Sequence, residues 1–335
     1  MNSAQPKRSS VSQSRWRDQL RSAYTDPATL LQTLGIAVDD SQILKPAPFP
    51  MRVPQALAMR MRPGDINDPI LQQVLPINAE TMPQPGYLND PVGDQASRQS
   101  RGLLHKYFGR ALLITTGACA VHCRYCFRQH FPYAQEHMGG SFSHEAIDYI
   151  ANTPTINEVI LSGGDPLMLS TKRLAELTDR LEKAKHIQRL RIHTRLPIVL
   201  PDRITDELTS WLANLPWPVV MVIHANHAQE FDHEVDTALA KLKLAGVCLL
   251  NQAVLLKGIN DETKVLANLM ERGFAAGVLP YYLHRLDKVT GAGHFEVTDE
   301  AMAKIMHELR ARLSGYLVPK LVAEIAGQPY KVPLL

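Results

Sequence analysis

Apolar and polar positions fall into two textures along the chain. Before about residue 95 apolar residues are scattered among prolines, each of which fixes φ and removes a backbone donor. Residues 1–14 are polar and Ser-rich and read as disordered. From Ser14 to Leu34, the apolar positions Trp16, Leu20, Leu30, Leu31 and Leu34 predict two short helices, with "TDPAT" turning between them. "ILKPAPFPMRVPQALAMRMRPGDINDPILQQVLP" mixes proline with helical pieces, and "TMPQPGYLNDPVGDQ" reads as a loop. The first hundred residues therefore look like a wrapping extension.

From about residue 110 the pattern becomes regular. Short apolar, β-branched runs predict strands at "ALLITT" (111–116), "EVILSGG" (158–164), "RLRIHT" (189–194), "VVMVIHA" (219–225), "VCLLNQAVLL" (247–256) and "GVLPYYLH" (277–284). Between them lie helical stretches such as "STKRLAELTDRLEKA", which opens on a Ser or Thr cap and repeats leucine at helical spacing. This alternation predicts βα units and a parallel sheet. Six repeats with polar residues at the C-terminal strand ends suggest an incomplete α/β barrel, whose chemistry sits at that rim. A doubly wound sheet fits the periodicity nearly as well.

Composition changes the picture only by exclusion. The 335 residues are 45% hydrophobic and 21% charged, enough for a sizeable core. The net charge of +3 is mild, and the basic "KRSSVSQSRWRDQLR" is too sparse for an RNA-binding arm, so no nucleic-acid partner is expected. No apolar run reaches about 18 residues, which argues against a membrane span. The first 30 residues lack the apolar core of a signal peptide. Four cysteines, three of them clustered, make no disulfide framework, so a cytoplasmic protein with reduced thiols is expected.

The clustered thiols carry the chemistry. In "GACAVHCRYCFRQH", Cys119, Cys123 and Cys126 stand at C-x-x-x-C-x-x-C spacing, while Cys248 lies in the apolar run "VCLLNQ" and reads as a small buried hydrophobe. A structural zinc closes four ligands, and His122 or His130 would complete such a Cys₃His site. Three thiolates equally suit a 4Fe–4S cluster that leaves its fourth iron open to a small molecule. Spacing alone leaves both readings open.

The stretch resembles the signature of the radical S-adenosylmethionine enzymes. That resemblance implies a partial (β/α)6 barrel, a 4Fe–4S cluster on the three cysteines, and S-adenosylmethionine chelated by the open iron. "LSGGDPL" resembles the family's glycine-rich turn, implying that Ser162, Gly163, Gly164 and Asp165 receive that cofactor. His224 in "HANH" and Gln252 in "NQAVLLKGIND" match later strand ends that line the same site.

From about residue 100 onward the chain is similar to the lysine 2,3-aminomutases. There a lysine before a proline, following a glycine-rich loop, forms the Schiff base with pyridoxal 5′-phosphate, and Lys331 in "AGQPYKVPLL" occupies that place. Arg110, nine residues before the first cysteine, matches the arginine that grips the cofactor phosphate. Arg128, two residues after the third, matches the one for the substrate carboxylate. Both posts suit a planar fork that bonds oxyanions bidentately. Asp287 and Glu324, 44 and seven residues before Lys331, match the acids that hold the substrate ammonium.

Glu324 replaces the family's usual aspartate, the glycine run is reduced to "GQPYK", and four residues follow Lys331 where longer members continue into an oligomer-supporting extension. With "CAVHCRYCFRQHFPYA" and "GYLVPKL", these features resemble the subgroup that makes (R)-β-lysine for modifying translation elongation factor P. The resemblance implies L-lysine as substrate, a flavodoxin or ferredoxin as electron donor, and a functional link to elongation factor P and its lysine ligase. It leaves a homodimer open and puts the tetramer of longer members in question. The expected organisation is a helical and loop extension over 1–104, the barrel over 105–317, and a short segment over 318–335 carrying the pyridoxal lysine.

Overall fold

Residues 9–37, 42–136 and 144–334 are described by the computed structural model, and their strands form one ten-stranded sheet whose spatial order follows the chain. β1 (Arg98–Ser100) and β2 (Leu103–Tyr107) make an antiparallel edge against β3 (Arg110–Thr116). From β3, six strands continue in parallel: β4 (Glu158–Gly163), β5 (Arg189–Thr194), β6 (Val219–Ile223), β7 (Cys248–Val254), β8 (Leu279–His284) and β9 (Lys320–Ala323). β10 (Val332–Pro333) pairs antiparallel with β9 at the far edge. Helical crossovers join the parallel strands, among them Thr171–Leu181, His233–Leu244 and Asp299–Arg312. The order never reverses at a switch point, as a doubly wound sheet requires, and its two edges stay apart. The expected partial α/β barrel is what forms.

Strand alternation shows what the barrel is for. In β5, Leu190 and Ile192 are buried on the helix-facing side, while Arg191 and His193 line the lumen. Strands β4, β7 and β8 repeat the arrangement, with Val159, Ala253 and Leu283 outward and Ser162, Gln252 and His284 inward, and His224, just past the end of β6, also lines the lumen. A closed barrel of this class fills its interior with branched apolar side chains. This lumen instead carries charged and polar side chains among apolar ones, and it encloses a cavity.

The helices follow their local signals. Ser170 accepts from the Arg173 amide at 3.3 Å, and Leu174, Leu177 and Leu181 on one stripe are fully buried, each burial contributing roughly 1.5–3 kcal/mol. Trp16, Leu20, Leu30, Leu31 and Leu34 are buried as their spacing implies. The first helix, however, spans Ser9–Arg21, so residues 9–14 are helical where polarity suggested disorder; residues 1–8 lie outside the described residues. Cys248 is a second correction. It is the first residue of β7, at the end opposite the thiol cluster, and it is exposed.

The extension belongs to the same apolar core as the barrel, which runs from Trp16 to Leu321. It also grips the thiol-bearing loop after β3, which has little regular structure to satisfy its amides. The His122 amide donates to Arg52 O at 3.0 Å and the Arg124 amide to Gln73 O at 2.9 Å. The Arg124 side chain, 1% exposed, lies between the Glu80 carboxylate and Phe49 O. Removing one partner of such a buried pair leaves a bare charge. Glu80→Ala should therefore cost about 3 kcal/mol of unfolding free energy and lower the thiol loop's metal loading; a urea midpoint equal to the parent's would contradict the clamp.

Candidate active site

The loop after β3 brings Cys119, Cys123 and Cys126 to the mouth of a cavity of about 300 Å³ that runs down the lumen. Burial pushes the Cys119 thiol up, aided by Cys126, Asp165 and Cys123. Burial and the Cys123 charge push Cys126 up to about 12. Cys119 and Cys126 therefore resist ionising unless positive charge lies beside them, which is the situation a metal cluster creates. A single zinc is disfavoured by the histidines. His122 hydrogen-bonds Pro50 O through Nδ1 at 2.7 Å and stacks on Phe49, and His130 Nε2 bonds Thr290 O at 3.1 Å. Among the described residues no three His, Cys, Asp or Glu side chains converge on one ion. The donor set fits a cluster whose sulfurs bind different irons.

The turn after β4 is stitched to this loop. Gly164 N donates to Thr116 O and Asp165 N to Ala118 O, both at 2.8 Å. A Cβ on Gly164 would stand 2.4 Å from Ala118 O, and Gly163 has φ of +118°, so only glycine permits the approach. Asp165 is fully buried, which pushes its carboxyl up to about 6, and its oxygens accept from Thr194 Oγ1, Arg195 N and Leu167 N. Those donors occupy the side chain in bracing β4 to β5. Ser162 accepts from Arg128 at 3.3 Å, and Gln252 Nε2 lies 2.8 Å from His224 Nε2. Burial pushes His224 down to about 3, so the ring is neutral and accepts from the Gln252 amide.

Opposite the thiols, charges alternate in a chain. Arg128 Nε donates to Asp94 Oδ2 at 2.7 Å, and Lys106 Nζ reaches Asp94 Oδ1 at 3.1 Å and Glu324 Oε1 at 2.7 Å. Lys331 donates to the other oxygen of Glu324. Burial alone would raise Glu324, but Lys331 and Lys106 outweigh it and hold the carboxyl at about 2. Asp287 is pushed the other way, up to about 7, by burial and by the Glu324 charge. Lys331 is placed by the β9–β10 hairpin, whose turn contains Gly327 at φ of +81°. At the floor, Arg110 stacks over Tyr107 at 4.9 Å; its Nε and that of Arg191 are buried without a partner.

All the site residues singled out in the sequence gather around this one cavity. Sequence reasoning missed Asp94, Lys106, Arg191, His193, Arg195 and His284. Arg191, His193 and His284 carried a signal, being polar residues at inward positions of β5 and β8, and Arg195 follows the end of β5. Asp94 lies in a proline-rich loop and Lys106 in the short strand β2, where nothing in the pattern marks them.

The open barrel and its thiol loop define a radical S-adenosylmethionine protein, and residues 113–270 match the Radical SAM superfamily. Membership implies a 4Fe–4S cluster and S-adenosylmethionine. The chain is 48% identical over 322 residues to the L-lysine 2,3-aminomutase of Escherichia coli (strain K12), covering 95% of this chain and 94% of that one. It is 46% identical over 319 residues to the L-lysine 2,3-aminomutase of Haemophilus influenzae, covering 94% of each. To the enzyme of that name from Clostridium subterminale it is 34% identical over 324 residues, covering 96% of this chain and 77% of the relative. The chain belongs to the lysine 2,3-aminomutase family. Among the described residues, no helix is long and apolar enough to cross a membrane.

Asp287 yields a pH prediction. Its folded value, about 7, lies above the ordinary 3.8, so the fold favours the protonated acid and loses stability as pH rises through that window. Asp287→Asn should thus stabilise the cofactor-free protein at pH 8, by at most about 4 kcal/mol, and hardly at all at pH 4. Thermal melts across this range check it; a gain independent of pH would contradict the burial of that charge.

Proposed function

We propose that this protein moves the α-amino group of L-lysine to carbon 3, using pyridoxal 5′-phosphate held by Lys331 beside the thiol-bound cluster. The observation that carries this reading is that Lys331, the three cysteines and the acid pair share one cavity. The floor supports the pyridoxal group, because a phosphate would satisfy the buried, unpartnered Nε atoms of Arg110 and Arg191. When bound, the cofactors supply one-electron chemistry and an electrophilic carbonyl that no side chain offers.

The chain's own residues bind and orient. Arg128 takes the substrate carboxylate through the nitrogens that Asp94 leaves free, while Asp94 fixes its direction. Glu324 and Asp287 take the side-chain ammonium, and Lys331 vacates Glu324 when it turns to the pyridoxal carbonyl. A substrate lacking the terminal amine leaves these acids buried without a partner, which disfavours it strongly. Gly163 and Gly164 admit the S-adenosylmethionine amino group near the thiol loop, with Asp165 bracing the turn. His224 and Gln252 form the adjoining wall. Enclosure in the lumen keeps water from the reacting carbons.

The finer reading is (R)-β-lysine as product, destined for elongation factor P, in the cytoplasm, with a flavodoxin or ferredoxin as donor. It rests on the resemblance of the cysteine loop and of "GYLVPKL", and on the near-full-length similarity to the two bacterial relatives.

Anaerobic incubation with L-lysine, S-adenosylmethionine and dithionite should give β-lysine, and chiral analysis should find the R form. Turnover of glutamate in preference to lysine would overturn the substrate assignment. Lys331→Ala should lose the visible pyridoxal absorbance yet keep the brown iron–sulfur band, whereas Cys123→Ala should lose the brown band and all isomerisation. A full cluster in Cys123→Ala would refute the ligand assignment.

A further inference from the structure

Arg195, immediately after β5, lines the cavity beside the thiols, and four partners hold its terminal nitrogens. It is 7% exposed, and its Nη1 donates to Cys123 Sγ at 2.7 Å and to Tyr125 Oη at 2.8 Å. Its Nη2 donates to Gln73 Oε1 at 2.7 Å and to Glu230 Oε2 at 2.8 Å. Glu230 is fully buried, and its other oxygen accepts from the amides of Asn226 and His227 at 2.8 and 3.0 Å. Asn226 Nδ2 bonds both Gln73 and Tyr125, which closes the network.

A buried arginine–carboxylate pair is a poor stabiliser, since desolvating both charges consumes most of their attraction. The contact that gives this pair another use is the one to sulfur. A guanidinium on a metal-bound thiolate keeps its bond, because the coordinated sulfur retains lone pairs. It also places fixed positive charge at a centre that becomes more negative when it takes up an electron. Hydrogen bonds to cluster sulfurs and net charge nearby are the levers by which a protein sets such a potential.

We propose that Arg195 and Glu230 form a paired electrostatic setting for the reduction potential of the cluster, Arg195 raising it through Cys123 and Glu230 holding that effect back. Both are positioning residues that act on the cluster through Cys123. Tyr125 and Gln73 keep the guanidinium aimed at the sulfur while Asn226 and the two amides keep Glu230 ionised beside it. The inference depends on the superfamily's cluster and not on the aminomutase reading, so either survives failure of the other.

The test is an EPR-monitored redox titration of the cluster-loaded protein, without substrate, in which dithionite and mediators deliver one electron to the cluster. Arg195→Gln should lower the ratio of reduced to oxidised cluster at fixed potential about tenfold, a shift of about 59 mV for one electron. Glu230→Gln should move the ratio in the opposite direction. Equal midpoints in parent and variants of equal iron and sulfide content would overturn the proposal, as would shifts of the same sign. Should Arg195→Gln fail to fold, Glu230→Gln decides alone: a higher midpoint supports the pairing, and an unchanged or lower one overturns it.

Discussion

Charge buried in a lumen has to be paired, and the alternating series Arg128, Asp94, Lys106, Glu324 and Lys331 is how this barrel manages it. None of these side chains is more than 20% exposed. In so dry a setting each charge needs its neighbour, because an isolated one costs several kcal/mol to desolvate. The series therefore does structural and functional work together. It sets a guanidinium, which suits a carboxylate, and acids, which suit an ammonium, around one cavity.

The thiol end is held by different means. Three thiols on an irregular loop need their backbone fixed from outside, and the N-terminal extension and the glycine turn after β4 provide this from two sides. Arg52 and Gln73 accept from loop amides, and Gly164 lies against Ala118 more closely than any side chain would allow. The extension thus helps to build the site, and Gln73 carries the same influence into the Arg195 network.

Much of this was legible in the chain. The six regular strands were visible because β-branched runs bounded by turns recur at βα spacing, and the thiols, Lys331 and the two acids because their intervals match a family. β9 escaped because four residues inside a tail carry no period. Asp94 and Lys106 escaped because their importance comes from contacts that only folding creates, Asp94 with Arg128 and Lys106 with Glu324, 218 residues away. Cys248 was misplaced because an apolar run does not reveal which of its ends emerges into solvent, and the start of the first helix because the nearly all-polar run before Trp16 carries no apolar stripe.

On the function proposed above, Lys331 tethers a pyridoxal group in the same cavity as the thiols. Borohydride treatment of the pyridoxal-loaded protein, followed by peptide mass spectrometry, tests it directly. The account predicts a single phosphopyridoxyl label on the peptide containing Lys331. A label on another lysine, with Lys331 unmodified, would contradict it.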